Sequence, residues 1–155
     1  SPSQLPASVV CTVGETIWAL SGSAWKYRPT DNPDFLFGRR QNEVYNIGKL
    51  YAFHGDDYGS NHLRNNLVAY GVNLVYGHVH SPARATMVSP INGAPRSAWS
   101  LGCLCTRNPT WRNGTPNRWA NGFGIAYVRD DGHFQMHQID IIKGSFFGLD
   151  GKIYK

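Results

Sequence analysis

The stretch Lys49-Leu50-Tyr51-Ala52-Phe53-His54-Gly55, answered later by Tyr70-Gly71-Val72-Asn73-Leu74-Val75-Tyr76-Gly77-His78-Val79-His80, decides the fold. Residues 49–54 are mostly apolar and too few for a helix, the pattern of a buried strand. Residues 72–76 repeat it. Between the two, residues 55–59 read as a polar loop, and Ser60 stands where a helix N-cap belongs. Leu63, Leu67 and Tyr70 then fall on one helical face, which is expected to be buried, with Arg64 and Asn65 turned to water. Gly71 provides the left-handed stop. Strand, helix and strand at this spacing form a βαβ unit, so the two strands are expected to run parallel.

Working outward, the second half changes character. Residues 84–88, 97–101, 122–129 and 133–142 read as short strands, the last two joined by the hairpin signal Asp130-Asp131-Gly132. Residues 144–154 read as two short strand pieces about a turn at Leu149-Asp150-Gly151. A parallel unit followed by an antiparallel run is therefore expected. Residues 1–46 read as irregular, punctuated by Pro2, Pro6, Pro29 and Pro33. Within them a short helix over 15–20 is expected, docked on the core by Trp18 and Trp25, and Asp31-Asn32-Pro33-Asp34 reads as a turn.

The composition narrows the class. A chain of 155 residues is one domain's worth, able to bury one core. Five Trp, eight Tyr and seven Phe exclude intrinsic disorder. No apolar run approaches the roughly 20 residues of a membrane span, so no membrane partner is expected. No charged-then-apolar opening reads as a signal peptide. Three cysteines are too few for a disulfide framework and point to a reducing compartment, hence the cytoplasm. A net charge of +5 suits a phosphate-bearing partner without requiring one.

The chemistry concentrates on His54, His78 and His80. Both sites stand at carboxyl ends of adjacent parallel strands, where open α/β sheets place their ligands. Residues two apart on extended chain point to one side, so His78 and His80 can present two imidazoles together. Three neutral imidazoles converging on one cleft suit Mn, Fe, Zn or Ni.

On these residues the chain resembles the C-terminal half of the calcineurin-like metallophosphoesterases, most closely the single-domain type of phages and bacteria. The "HG" of His54-Gly55, the "YG-x-N" of Tyr70-Gly71-Val72-Asn73 and the "GHxH" of Gly77-His78-Val79-His80 occur in order. The segment Asn117-Arg118-Trp119-Ala120-Asn121-Gly122-Phe123 resembles the family's "NRW-x-x-GF". The likeness spans residues 49–154; residues 1–46 are unmatched. It implies an α/β fold, the C-terminal part of a sandwich of two mixed sheets flanked by helices. Residues 1–155 would then be one incomplete metallophosphoesterase domain, a hydrolase acting as phosphatase or phosphodiesterase. It also implies a dinuclear site, with His54 and His78 on one ion and His80 on the other, clamping a phosphoester that belongs to a nucleic acid, a nucleotide or another substrate.

The family's acidic signatures "D-x-H", "GD-x-x-D" and "GNH-D/E" do not precede His54. No residue here is therefore assigned a catalytic role, and these residues by themselves are expected to be inactive. Asp56, two residues beyond His54, is the candidate to orient a metal-bound imidazole from behind, and His62 reads as a helix-surface residue. Cys103-x-Cys105 has no second cysteine pair to complete a zinc knuckle and reads as buried small hydrophobes. Arg107, Arg112 and Arg118 with Trp111 and Trp119 mix cations and aromatics as single-strand binders do. A catalytically inactive nucleic-acid-binding or structural domain of the same fold is thus the alternative reading.

Overall fold

The computed structural model describes residues 8–13, 16–21, 36–39 and 44–155. In chain order these residues form β1 (Ser8–Val13), β2 (Thr16–Ser21), β3 (Leu36–Arg39), β4 (Val44–Ile47), β5 (Leu50–Phe53), α1 (His62–Tyr70) and β6 (Asn73–Tyr76). There follow β7 (Ala83–Val88), β8 (Pro95–Ser100), β9 (Gly122–Val128), β10 (Phe134–Asp140), β11 (Phe146–Phe147) and β12 (Ile153–Tyr154). The protein is mixed α/β and mostly sheet.

The βαβ unit forms as its pattern requires. β5 and β6 pair in parallel, with Leu50 opposite Asn73 and Phe53 opposite Tyr76, and α1 connects them. Gly71 ends the helix in the left-handed conformation at φ 67°, its N–H donating to the Leu67 carbonyl at 3.0 Å. Asn61, not Ser60, occupies the N-cap, and its side chain makes no capping hydrogen bond. These strands sit inside a five-stranded sheet of order β4-β5-β6-β8-β7. A second sheet, of order β10-β9-β1-β2-β3, is antiparallel throughout. β11 and β12 form a separate antiparallel hairpin about the expected turn.

Side-chain alternation gives the first sheet two buried faces. Leu50, Ala52, Val75, Trp99 and Leu101 point one way and meet Ala126 and Met136 of the second sheet. Phe53, Leu74, Tyr76 and Ala98 point the other way and are covered by Leu67 of α1. Gly124 marks how closely the sheets approach, because a Cβ there would stand 3.2 Å from Leu101 Cδ2. The strand ends that carry the histidines are thus anchored from both sides.

Three expectations are corrected. Residues 1–46 are not irregular throughout, since β1, β2, β3 and most of β4 lie within them, and Thr16–Ser21 is a strand rather than part of a helix. The β-branched and aromatic residues Thr16, Ile17 and Trp18 favour extended chain, and pairing with β1 on one side and β3 on the other supplies the hydrogen bonds. The later strands are not a purely antiparallel run: β8 joins β6 in parallel, Leu74 opposite Ala98. On α1, Leu67 is 1% exposed and Leu63 half-buried, but Tyr70 is 46% exposed. Tyr70 ends the last helical turn, where its ring meets that of Phe53 at 5.2 Å between centroids. Asn66 is buried in its place. The turn at 31–34 and the docking of Trp18 and Trp25 lie outside the described residues and side chains.

The helix face yields a direct test. Leu67→Ala should cost about 2–5 kcal/mol of unfolding free energy in urea denaturation, the range for emptying a packed core position. Tyr70→Ala should cost under about 1 kcal/mol, since nearly half of the residue already meets water. Equal losses at the two positions would contradict this packing.

Candidate functional site

The site begins with one carbonyl. His54 follows β5 directly, and its C=O accepts from the N–H groups of both Gly77 (3.2 Å) and His78 (3.0 Å), just beyond β6. That pins the two strand ends together. His54 is 2% exposed, and its Nε2 shares a hydrogen bond with His78 Nδ1 at 2.9 Å, the rings meeting edge to face at 4.9 Å. Gly55 turns the chain away at φ +97°, and a Cβ there would stand 3.0 Å from both the His78 Cβ and the Tyr76 ring. Glycine is needed at this point for both its φ and its missing side chain. The Tyr58 ring covers His78 at 4.0 Å.

His80 reaches the same cleft by a different geometry from the expected one. The chain does not stay extended through residues 78–80; it turns, and the His80 N–H donates to the Gly77 carbonyl at 2.8 Å. His80 itself is left-handed at φ 56°, a conformation that costs a non-glycine residue energy. What holds it is the Ala120 N–H on its carbonyl at 2.8 Å and the Trp119 ring at 4.4 Å. All three imidazoles line one cleft of ≈ 930 Å³, together with Tyr58, Arg112 and Trp119.

Sequence reasoning missed the neighbours of His80. The donor atoms of His80, Cys103 and Cys105 all lie within 4.8 Å of one another. Cys103 is buried, as expected of a small hydrophobe, but Cys105 is half-buried and lines the cleft. Asn121 fastens both cysteines, its Nδ2 donating to the Cys103 carbonyl at 3.0 Å and the Cys105 carbonyl at 2.8 Å. Burial, aided by the adjacent Cys105, pushes the Cys103 thiol up to about 11. The Cys-x-Cys spacing was the available signal, and the third donor of the cluster is a histidine in a separate loop.

The loop before α1 uses Asp57 rather than Asp56. The Asp57 carboxylate accepts from Asn65 Nδ2 at 2.9 Å and from the Gly59 N–H at 2.8 Å, which together hold its pKa below the usual carboxylate value. Asp56 is exposed, and among the described residues no hydrogen bond joins it to His54 or His78. His62 is not a free surface residue. It is half-buried at the cleft wall, with Nδ1 and the Tyr76 hydroxyl 2.6 Å apart. Desolvation lowers its pKa against the opposing charge of Asp57, and burial raises that of Tyr76 well above the ordinary phenol value. Arg112 lies over Trp119 at 5.1 Å and over Trp111 at 5.6 Å.

The donor chemistry fits a divalent cation. Two nitrogens bound to one such ion stand ~3.0–3.4 Å apart, given Zn–N bonds of about 2.0–2.1 Å, and the His54–His78 pair is already near that separation. Among the described residues no carboxylate completes a three-donor cluster with the pair, and the one such cluster found is His80, Cys103 and Cys105. No family model, curated protein or solved structure matches this chain. Among the described residues no helix is long and apolar enough to cross a membrane.

The His62 environment predicts a pH dependence. A histidine whose folded pKa is lowered contributes stability fully above its unfolded value of about 6.5, and that contribution is lost as pH falls through the lower folded value. Proton-detected NMR should therefore show His62 titrating below the ordinary histidine range. Replacing it by Phe should flatten the decline of stability between neutral and mildly acid pH. A His62 titration above the ordinary range would contradict the assigned environment.

Proposed function

We propose that this chain supplies the imidazole half of a two-metal phosphoester hydrolase site. The observation that carries the reading is the meeting of His54 and His78 at adjacent parallel strand ends, with His80 in the same cleft. The ordered "HG", "GHxH" and "NRW-x-x-GF" signatures support it independently of geometry. His54 and His78 would hold one divalent ion and His80 would contribute to the second, with Mn, Fe, Zn and Ni all compatible with imidazole ligands. Bound ions supply the Lewis acidity and positive charge that phosphoryl transfer demands.

The chain's own residues prepare the cleft for an anionic substrate. Arg112 and Arg118 line it, and a guanidinium matches a phosphate through paired hydrogen bonds. The stack on Trp111 and Trp119 restricts where the Arg112 guanidinium can go. Tyr58 limits rotation of the His78 ring, and Gly55 keeps the approach clear. A second reading, single-strand nucleic-acid binding without catalysis, is favoured by the 69% exposure of Trp111 beside these arginines, which offers a base a stacking surface.

Metal titration and hydrolysis of bis-p-nitrophenyl phosphate separate the readings. Residues 1–155 should bind Mn²⁺ weakly and lose that binding in His54→Ala and His78→Ala. They should show no turnover above background with Mn²⁺, Ni²⁺ or Zn²⁺, because the family's acidic signatures do not precede His54. Joining a segment that carries the acidic signatures ahead of residue 1 should create activity that His78→Ala or His80→Ala cuts by about 100-fold or more. Metal binding indifferent to both His54→Ala and His78→Ala would overturn the hydrolase reading. Turnover by residues 1–155 alone, abolished by Asp56→Ala, would instead give that loop the missing ligand.

A further inference from the structure

We infer that Cys103 and Cys105 join His80 in a thiolate–imidazole site for a single zinc-class cation, its remaining position open to the cleft. The hydrolase reading assigns neither cysteine, and His80 is the one residue common to both sites. The site stands whether or not the chain hydrolyses phosphoesters.

Geometry and chemistry carry it together. The three donor atoms lie within 4.8 Å of one another, on a turn and a loop that residues 120 and 121 fasten together. The Ala120 N–H holds the His80 carbonyl at 2.8 Å, and the Cys103 N–H donates to the Ala120 carbonyl at 2.9 Å. Asn121 binds both cysteine carbonyls, so the histidine turn and the cysteine loop share one brace. Sulfur and nitrogen donors on a tetrahedral zinc ion stand ~3.5–3.8 Å apart, from Zn–S of about 2.3 Å and Zn–N of about 2.0–2.1 Å. Closing from the observed spread takes an ångström or so of side-chain rotation. A Cβ at Gly102 would stand 2.6 Å from the Ala120 carbonyl oxygen, so glycine there lets the cysteine loop lie this close to residue 120.

The donors also select the cation. Two thiolates and an imidazole favour zinc-class ions over Mn²⁺ or Mg²⁺, which prefer oxygen. On binding, each thiol gives its proton to solvent and forms a sulfur–metal bond, so two protons leave per ion. Cys103 and His80 are buried, whereas Cys105 faces the cleft, which leaves the fourth position on the cleft side. Three protein ligands with one open position is the arrangement of reactive rather than purely structural zinc.

Residues 1–155, reduced and metal-free, titrated with Co²⁺ alone, provide the test. The wild type should develop sulfur-to-cobalt charge-transfer absorption at one equivalent. Cys105→Ser and His80→Asn should lose most of it, asparagine being chosen because it tolerates the left-handed backbone. His54→Ala should keep it. Because a change at buried Cys103 could unfold the chain, zinc X-ray absorption on the wild type provides a variant-free readout, with two sulfurs and at least one nitrogen around the ion. A shell of nitrogen and oxygen only, a Cys103–Cys105 disulfide that persists under reductant, or a cobalt band unchanged in Cys105→Ser would each overturn the proposal. None of these readouts involves hydrolysis, so failure of the phosphoesterase reading leaves them standing, and loss of the cobalt band leaves the His54–His78 pair untouched.

Discussion

The carbonyl of His54 accepts two hydrogen bonds, from Gly77 and His78, and the rest of the site depends on that bifurcated contact. It extends the β5–β6 ladder one step past the last paired residues, Phe53 and Tyr76. The ladder would otherwise let the two loops diverge. Held this way, His54 and His78 must meet, and the chain is forced into the turn that swings His80 back towards Trp119. Parallel strands matter here, because only parallel pairing puts both carboxyl ends, and hence both loops, on one side of the sheet.

Such a site needs a rigid floor, and the packing provides one. The central strands β5 and β6 are covered on one face by α1 and on the other by the second sheet. Their backbone therefore cannot relax when polar groups are buried at their ends. Buried imidazoles and thiols contribute little to stability compared with the hydrophobes they displace. The fold nevertheless gathers two imidazoles, a third in a strained backbone conformation and Cys105 at one cleft, with Cys103 buried behind it.

Much of this was legible from local sequence. Apolar runs at 49–54 and 72–76, helical spacing between them and Gly71 after them fixed the parallel unit, since each signal is short-range and independent. The three histidines were recognisable because the strand-end rule needs only topology. The misreadings share a cause. β1 and β2 pair with each other and are flanked by β9 and β3, of which β9 is distant in sequence, so proline and glycine punctuation outweighed a β-propensity that pairing satisfies. Tyr70 fits the helical stripe by spacing alone, yet it is the last residue of the helix and its ring stays partly uncovered. His80 with Cys103 and Cys105 was illegible because the turn at residues 78–80 and the Asn121 brace are tertiary features.

The central claim is that the strand-end imidazoles hold a metal ion, and anomalous diffraction from crystals grown with Mn²⁺ tests it most directly. The account predicts a manganese peak within bonding distance, ~2.0–2.3 Å, of both His54 Nε2 and His78 Nδ1, with the hydrogen bond between them replaced by the ion. Crystals saturated with Mn²⁺ that keep that hydrogen bond intact and show no peak in the cleft would contradict it.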